Sequence, residues 1–117
     1  MKNLYIIIPA FNESAILKNN AQTILKAAQF STVNPIFFLI DDGSTDNTAA
    51  VFEELKHLYP HNIKTLRFLR NFGKEAAIFA GLQAAFEDSK MAAAVVMDAD
   101  LQHPPALLAP MFQAWEK

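Results

Sequence analysis

Four apolar runs of strand length alternate with helical patterns along this chain of 117 residues. The predicted strands are Leu4–Ile8, Ile36–Ile40, Ile63–Leu69 and Ala93–Met97. Such regular alternation predicts an α/β fold, in which a mostly parallel sheet carries helices on both faces. Right-handed crossovers place the carboxyl ends of parallel strands along one edge, where open α/β sheets bind their ligands.

The segments between the strands show helical periodicity. Helices are predicted over 13–30, 46–58 and 74–87, and a last helical segment begins near Pro104. Asn12 is a candidate N-cap for the first helix, and Pro9 is expected to close the first strand.

Apolar stripes predict which sides of the second and third helices are buried. The predicted inward residues are Val51, Leu55 and Leu58 in the second helix and Phe79, Leu82 and Phe86 in the third. Ala77 and Gly81 are small residues one turn apart, which would let the third helix approach the sheet closely.

Composition excludes several classes of function. A net charge of −2 provides no surplus of Lys and Arg for a phosphate backbone, so no nucleic-acid partner is expected. The absence of cysteine rules out disulfides and thiolate metal sites. The amino-terminal apolar stretch is too short for a signal peptide or a membrane span, so we expect a soluble, cytoplasmic chain.

Two carboxylates, Asp98 and Asp100, directly follow the fourth predicted strand. In an extended chain, the side chains of residues i and i+2 point the same way, so Asp98 and Asp100 can face one cation. Gln102 lies two residues further on and can offer a third oxygen on the same side. Mg²⁺ and Mn²⁺ prefer oxygen ligands and commonly complete their coordination with substrate phosphates. The alternative is that acidic residues simply end a buried strand and face water; the third oxygen favours a metal-bridged phosphate site.

A second acidic segment, residues 41–46, follows the second strand. It could be only a turn and a helix cap, because turns favour Asp, Gly and Ser. Two adjacent carboxylates at a strand end are more than a cap requires, and dinucleotide folds use an acidic residue there to bind ribose hydroxyls. We therefore predict a nucleoside role for Asp42 or Asp41.

The loop after the third strand places Arg70 and Lys74 on either side of Gly73 at a helix start. Backbone N–H groups and the helix dipole attract anions there, so either cation could reach a diphosphate. An ordinary strand-to-helix loop with solvated charges is the alternative. The chain has neither G-x-x-x-x-G-K-[ST] nor G-x-G-x-x-G, so P-loop and NAD-binding interpretations lack their fingerprint.

Four segments, taken in order, carry a family resemblance: IIPAFNES (7–14), DDGSTDNT (41–48), RNFGKEAA (70–77) and MDADLQHPP (97–105). Together they resemble the family 2 glycosyltransferases. Within that family they are most similar to the polyprenyl-phosphate sugar transferases, such as dolichol-phosphate mannose synthase and bactoprenol glucosyltransferase. The resemblance implies a GT-A fold whose Rossmann-like first half binds a nucleotide-sugar, linked to UDP or GDP.

The resemblance also implies roles for single residues, several of which were already candidates. Pro9, Phe11 and Glu13 would line the nucleoside pocket, Asp42 would contact the base or ribose, and Asp98, Asp100 and Gln102 would hold Mg²⁺ or Mn²⁺ against the diphosphate. The metal would stabilise charge on the departing nucleoside diphosphate. Transfer in this family inverts the anomeric carbon, and a lipid-phosphate acceptor is already anionic, so positioning matters more than a catalytic base.

The chain departs from the family in length. The acceptor-binding half, and the membrane helices typical of the polyprenyl subgroup, would lie beyond Lys117. We therefore expect residues 1–117 to be a single donor-binding part that binds nucleotide and metal but transfers no sugar. In the full-length protein we expect a lipid-phosphate acceptor, reached at the cytoplasmic face of a membrane.

Two other classes combine apolar strands with Asp residues and Mg²⁺. An aspartyl phosphohydrolase usually has Thr or Gly shortly after its D-x-D, whereas Leu101 and Gln102 stand there in this chain. A phospho-acceptor receiver module would carry its acidic pair after the first strand and its phospho-acceptor after the third. This chain has Phe11 and Asn12 after the first strand and Arg70 after the third, so both alternatives are disfavoured.

Overall fold

The computed structural model describes residues 2–13 and 34–97 of the chain. These ranges contain β1 (Asn3–Ala10), β2 (Asn34–Asp41), α1 (Thr48–Leu58), β3 (Ile63–Arg67), α2 (Lys74–Phe86) and β4 (Met91–Val96). Neither α1 nor α2 is long and apolar enough to cross a bilayer. The predicted helix over 13–30, the acidic segment from Asp98 and the helical segment near Pro104 lie outside the described residues.

The four strands form one parallel sheet in the order β3-β2-β1-β4. The chain builds outward from β1 through β2 to β3, and then returns to the other side of β1 with β4. The order therefore reverses between β1 and β4, and open α/β sheets bind ligands in the crevice at such a switch point. The predicted parallel sheet is confirmed.

Each face of the sheet is covered by one of these helices. Successive side chains of β1 point to opposite faces, so Ile6 packs in one cluster with Phe52 and Leu55 of α1. Ile7 packs in the other cluster with Ala77 of α2. Because both faces are buried, β1 and β2 are apolar along most of their length, as buried parallel strands require. The predicted helices on both faces are confirmed.

The buried side of α2 agrees with the prediction only in part. Leu82 packs against the cluster of Ile7, and Ala77 and Gly81 let the helix approach the sheet closely, as predicted. The prediction that Phe79 and Phe86 point inward was wrong. Phe79 and Phe86 are 69% and 66% exposed, while Ala77, Gly81 and Ala85 face the sheet. A Cβ built on Gly81 would lie 2.6 Å from Ile40 Cδ1 and 2.7 Å from Ile7 Cγ2. The helix backbone approaches the sheet too closely for phenylalanine, so the small residues decide its orientation.

The boundaries and buried face of α1 also differ from the prediction. The helix begins at Thr48, because Asp46 accepts the Thr48 backbone N–H (2.9 Å) before the first turn. Thr48, Phe52 and Leu55 are buried at helical spacing, which leaves Leu58 50% exposed. The prediction that Leu58 points inward was therefore wrong. Strand β3 ends at Arg67, two residues before its predicted end.

Pro9 lies inside β1 and does not close it. Ile7 accepts a hydrogen bond from the Met97 N–H (2.9 Å), so its polar groups face β4. Pro9 has the same orientation two residues later, and its missing N–H therefore lies on the β4 side. The register between β1 and β4 ends at Ile7 and Val96, whereas β1 stays paired with β2 as far as Ala10. Pro9 therefore has no N–H to donate toward β4 at the carboxyl edge.

A polar network closes the opposite, amino-terminal edge of the sheet. The Tyr5 hydroxyl donates to Asp88 Oδ2 (2.7 Å) and accepts from Lys64 Nζ (2.9 Å). Asn3 Nδ2 and the Lys90 N–H also donate to the Asp88 carboxylate, each at 2.8 Å. Burial raises the pKa of Tyr5, so its hydroxyl keeps the proton that it donates. The hydrogen bonds from Tyr5, Asn3 and Lys90 hold the pKa of Asp88 at about 2.

Substitution of Gly81 by Ala tests the close packing of α2. In a free helix this change gains about 1 kcal/mol of helix propensity, but overpacking costs about 1–3 kcal/mol. We expect Gly81→Ala to lower the free energy of unfolding, measured by urea denaturation. Gln83→Ala, on the exposed side of the same helix, is the control and should stay within about 0.5 kcal/mol of wild type. A stabilised Gly81→Ala variant would contradict the packing.

Substitution of Asp88 by Asn tests the amino-edge network through pH. Because the pKa of Asp88 is lowered from its ordinary 3.8 to about 2 on folding, its stabilising contribution is complete above pH 3.8. That contribution disappears as the pH falls toward 2. Thermal melts between pH 6 and 2 should therefore show a smaller loss of stability in Asp88→Asn than in wild type. Glu87→Gln, which removes a neighbouring exposed carboxylate, should keep the wild-type slope.

Candidate functional site

Three loops that follow β1, β2 and β3 lie together at the carboxyl edge of the sheet. We call them the first loop (residues 11–13), the second loop (42–47) and the third loop (68–73). Most of the candidate residues from the sequence lie in or beside them. The hydrogen bonds described below join all three, with the second loop in the centre.

Asp41 is the last residue of β2 and is completely buried. Its Oδ1 accepts the Ser44 N–H (2.8 Å), which turns the second loop back on the strand end. Its Oδ2 lies 3.7 Å from Arg67 Nε and makes no hydrogen bond with the described residues. Arg67 is the β3 residue paired with Asp41 in the sheet. These contacts make Asp41 a support of the second loop.

Asp42 is also buried, with 3% of its surface exposed, and it holds the third loop. Its Oδ1 accepts the Phe72 N–H (2.8 Å), and its Oδ2 accepts the Gly73 N–H (3.0 Å) and Asn71 Nδ2 (3.2 Å). Gly73 is the N-cap of α2, so the carboxylate lies where the helix dipole and free N–H groups attract an anion. An ionised carboxylate has about four acceptor positions, which leaves roughly one for a ligand.

Asn12 joins the first loop to the second. Its Oδ1 accepts the backbone N–H groups of Thr45 (2.8 Å) and Asp46 (3.3 Å), and its own N–H donates to Ser44 Oγ (2.9 Å). From the sequence, Asn12 is a candidate N-cap for the helix over 13–30, which lies outside the described residues. Its contacts with the second loop were not predicted. The side-chain amide of a loop residue can bind any nearby backbone group, and the sequence does not indicate which one.

The nucleoside candidates of the first loop differ in exposure. Pro9, in β1, is buried, whereas Phe11 is 42% exposed at the carboxyl edge. Glu13 Oε1 accepts the Phe11 N–H (3.2 Å), and the Glu13 N–H donates to Thr48 Oγ1 (3.1 Å). Phe11 can therefore present its ring to a ligand while Glu13 holds the turn of the loop.

The two predicted cations lie around the start of α2. The Arg70 guanidinium stacks on the Phe72 ring, with Cζ 4.7 Å from the ring centroid. Phe72 in turn packs edge-to-face against Phe68 at 5.6 Å. Lys74 is the first residue of α2, and its side chain is exposed. Both cations lie at the carboxyl edge, close in sequence to the Phe72 and Gly73 N–H groups that hold the Asp42 carboxylate.

The predicted metal ligands Asp98, Asp100 and Gln102 lie outside the described residues. Residues 2–13 and 34–97 hold no cluster of three His, Asp or Glu side chains that could bind a metal. Met97, the last described residue, is buried, and its N–H donates to the Ile7 carbonyl, which extends the pairing of β4 with β1 one residue beyond Val96. Two carboxylates and an amide oxygen suit the hard cations Mg²⁺ and Mn²⁺.

The sequence of this chain is similar to those of known proteins. The family model described as Glycosyl transferase family 2 matches residues 5–117. The protein CsbB of Bacillus subtilis (strain 168), which carries a provisional glycosyltransferase name, is 39% identical over 112 residues, 96% of this chain and 32% of its own length. The prophage bactoprenol glucosyl transferase homolog of Escherichia coli (strain K12) is 32% identical over 95% of this chain and 35% of its own. The chain thus spans about a third of each relative.

A solved structure has the same fold. The mannosyltransferase PcManGT from Pyrobaculum calidifontis, in complex with GDP-Man and Mn²⁺, matches with a TM-score of 0.67. The match covers 91% of this chain and 30% of PcManGT, at 19% sequence identity. At this identity the likeness shows the fold alone, which is the GT-A fold that the sequence predicted.

Substitution of Gly43 tests the close approach of the second and third loops. Gly43 has a φ of 73°, and a Cβ there would lie 2.2 Å from the Arg70 carbonyl carbon. Left-handed backbone costs about 1–2 kcal/mol for Ala and overpacking about 1–3 kcal/mol, so we expect Gly43→Ala to lose roughly their sum in urea denaturation. Gly73→Ala is the control, since Gly73 has a φ of 101° but nothing within 4 Å of its Cβ position. A loss at Gly43 no larger than the backbone cost of about 1–2 kcal/mol would contradict the close approach to Arg70.

Proposed function

The chain belongs to glycosyl transferase family 2, and we propose that it forms the donor-binding part of an inverting, metal-assisted sugar transferase. The observation that carries this proposal is the linkage of three loops at one edge of the sheet. Asn12 ties the first loop to the second, and Asp42 ties the third loop to the second. The switch point of the sheet, between β1 and β4, lies at the same edge.

The nucleoside of the donor lies against the first and second loops in this proposal. Phe11 offers an exposed ring for the base, and Glu13 borders the same turn. Asp42 uses its remaining acceptor position for a base or ribose donor group. Pro9 borders the pocket from β1, where it has no N–H to donate toward β4.

In this proposal the diphosphate of the donor is bound chiefly through a metal ion at the switch point between β1 and β4. Asp98, Asp100 and Gln102 would supply oxygen ligands for Mg²⁺ or Mn²⁺, and Asp98 would also border the nucleotide. A metal bound there would neutralise charge that develops on the leaving nucleoside diphosphate. Arg70 and Lys74 add positive charge at the same edge of the sheet.

The acceptor in this proposal is a polyprenyl phosphate. An acceptor phosphate oxygen attacks the anomeric carbon as the bond from that carbon to the nucleoside diphosphate breaks, which inverts the configuration. The acceptor oxygen is already anionic, so no proton needs to be removed from it. A bactoprenol glucosyl transferase homolog is among the relatives, and this chain spans about a third of that protein. We therefore assign transfer to a longer protein acting at the cytoplasmic face of a membrane.

Calorimetric titration with UDP, GDP and CDP, each with and without Mn²⁺, tests donor binding by the 117-residue chain. We expect one of the three nucleotides to bind. Mn²⁺ should raise its affinity roughly tenfold or more, because the phosphates of the nucleotide complete the coordination of the metal. Asp98→Asn should remove most of the Mn²⁺ effect while the protein melts at an unchanged temperature.

Asp88→Asn is the matched control, because it replaces an equivalent carboxylate at the amino edge of the sheet. That variant should keep both the affinity and the Mn²⁺ effect. A nucleotide affinity that ignores Mn²⁺ in wild type, or an Mn²⁺ effect that survives in Asp98→Asn, would contradict the metal site. Failure of all three nucleotides to bind would contradict the donor site itself.

A further inference from the structure

We propose that Asn12 is a positioning residue for the nucleoside of the donor, acting by fixing the first loop against the second. This inference rests on the proposed donor site. Asn12 lies between Phe11 and Glu13, the two first-loop candidates for the nucleoside pocket, and its own side chain points to the second loop. It therefore acts through its neighbours and not by contact with the donor.

The backbone at Asn12 requires an unusual residue. Its φ is 53°, and it is the only non-glycine residue with positive φ among the described parts of the chain. Left-handed backbone is unfavourable for most side chains, whereas Asn tolerates it better. The turn that this angle creates brings the Glu13 carboxylate back to the Phe11 N–H (3.2 Å). The conformation of Asn12 therefore sets the relative placement of Phe11 and Glu13.

The side chain at Asn12 supplies an acceptor that holds this turn in place. Its Oδ1 accepts two successive backbone N–H groups, those of Thr45 (2.8 Å) and Asp46 (3.3 Å). These N–H groups precede α1, so no helical carbonyl accepts them. One oxygen thus satisfies two donors of the second loop and fastens the first loop to it.

Two backbone N–H groups of the first loop, those of Asn12 and Glu13, also donate hydrogen bonds to residues in the second loop and at the start of α1. The Asn12 N–H donates to Ser44 Oγ, and the Ser44 N–H donates to the buried Asp41 carboxylate. On the other side, the Glu13 N–H donates to Thr48 Oγ1 at the start of α1. A continuous chain of hydrogen bonds therefore links the first loop to the end of β2.

The exposure of Asn12 separates this role from a role in the core. Its side chain is exposed and belongs to neither apolar cluster of the sheet. Loss of its contacts should leave the sheet and its packing intact. The effect of a substitution should instead appear where Phe11 and Glu13 meet the donor.

Three variants separate the two features of Asn12. Asn12→Gly keeps access to positive φ but removes the Oδ1 acceptor. Asn12→Asp keeps both the acceptor and a tolerance for positive φ, so it is the conservative rescue. Asn12→Ala removes both. We expect calorimetry with the tightest of UDP, GDP and CDP, in Mn²⁺, to show roughly five- to tenfold weaker binding for Asn12→Gly, the scale of lost hydrogen bonds.

Asn12→Ala should bind at least as weakly as Asn12→Gly, while Asn12→Asp should retain most of the wild-type affinity. Titration with Mn²⁺ and inorganic diphosphate provides the second readout, because this probe lacks a nucleoside. Its affinity should be unchanged in all three variants, whereas a general loss of structure would weaken both probes. Melting temperatures of Asn12→Gly and Asn12→Asp should stay within about 5 °C of wild type, as expected for an exposed position. Asn12→Ala should melt lower, because left-handed backbone costs about 1–2 kcal/mol for Ala.

Equal nucleotide affinity in wild type and Asn12→Gly would overturn this inference while the donor site stands. The same holds if diphosphate and nucleotide weaken in parallel, because the loss is then not specific to the nucleoside. If wild type binds no nucleoside diphosphate in Mn²⁺, the proposed donor site fails, and this inference fails with it.

Discussion

Two buried carboxylates at the end of β2 are the constraint on which the carboxyl edge depends. Asp41 and Asp42 lie almost completely out of solvent, and a buried charge is tolerated only where hydrogen bonds replace its water. The Phe72 and Gly73 N–H groups meet this need for Asp42. The Ser44 N–H meets it only for Oδ1 of Asp41, whose Oδ2 has the Arg67 guanidinium 3.7 Å away and no hydrogen bond with the described residues. The same bonds that solvate these charges therefore fix the second and third loops. Loops without an apolar core of their own become rigid in this way, and a site built on them needs little ordering when a ligand arrives.

The sequence predicted the architecture well because a parallel sheet depends on the length and order of apolar segments more than on the identity of single residues. Apolar runs of the right length, separated by helical segments, admit few arrangements, and the sheet and its two covered faces followed from that pattern. The orientation of α2 did not follow. Phe79 and Phe86 form the more hydrophobic stripe, yet the helix turns Ala77 and Gly81 to the sheet. A hydrophobic pattern indicates which face of a helix gains the most free energy when it is buried. It does not indicate which face is small enough to fit at a short distance between helix and sheet.

The candidate site was predictable at the level of position and not at the level of partners. Strand ends located Asp42 and Arg70, since parallel strands bring their carboxyl ends to one edge. The actual contacts depend on loop conformations that have no periodicity. Asn12 reaches Thr45 across 33 positions, and Asp42 reaches Phe72 across 30. No local pattern encodes such pairings, so Asn12 was predicted only as a helix cap and Asp42 only as a nucleoside contact.

The position of Asp42 also constrains where donor phosphates can lie. The sequence suggested that the start of α2 would attract a diphosphate, but the N–H groups of Phe72 and Gly73 already hold a carboxylate of the protein itself. A phosphate brought to the same N–H groups would meet a negative charge at hydrogen-bond distance, which is unfavourable in a buried setting. The donor diphosphate is therefore expected away from these N–H groups, at the switch point between β1 and β4. In the proposed donor site, Asp98, Asp100 and Gln102 are the metal ligands, and their oxygens could hold phosphates only through a bound cation. The Asp42 carboxylate at the start of α2 would then favour binding of the phosphates to the metal and not to the helix.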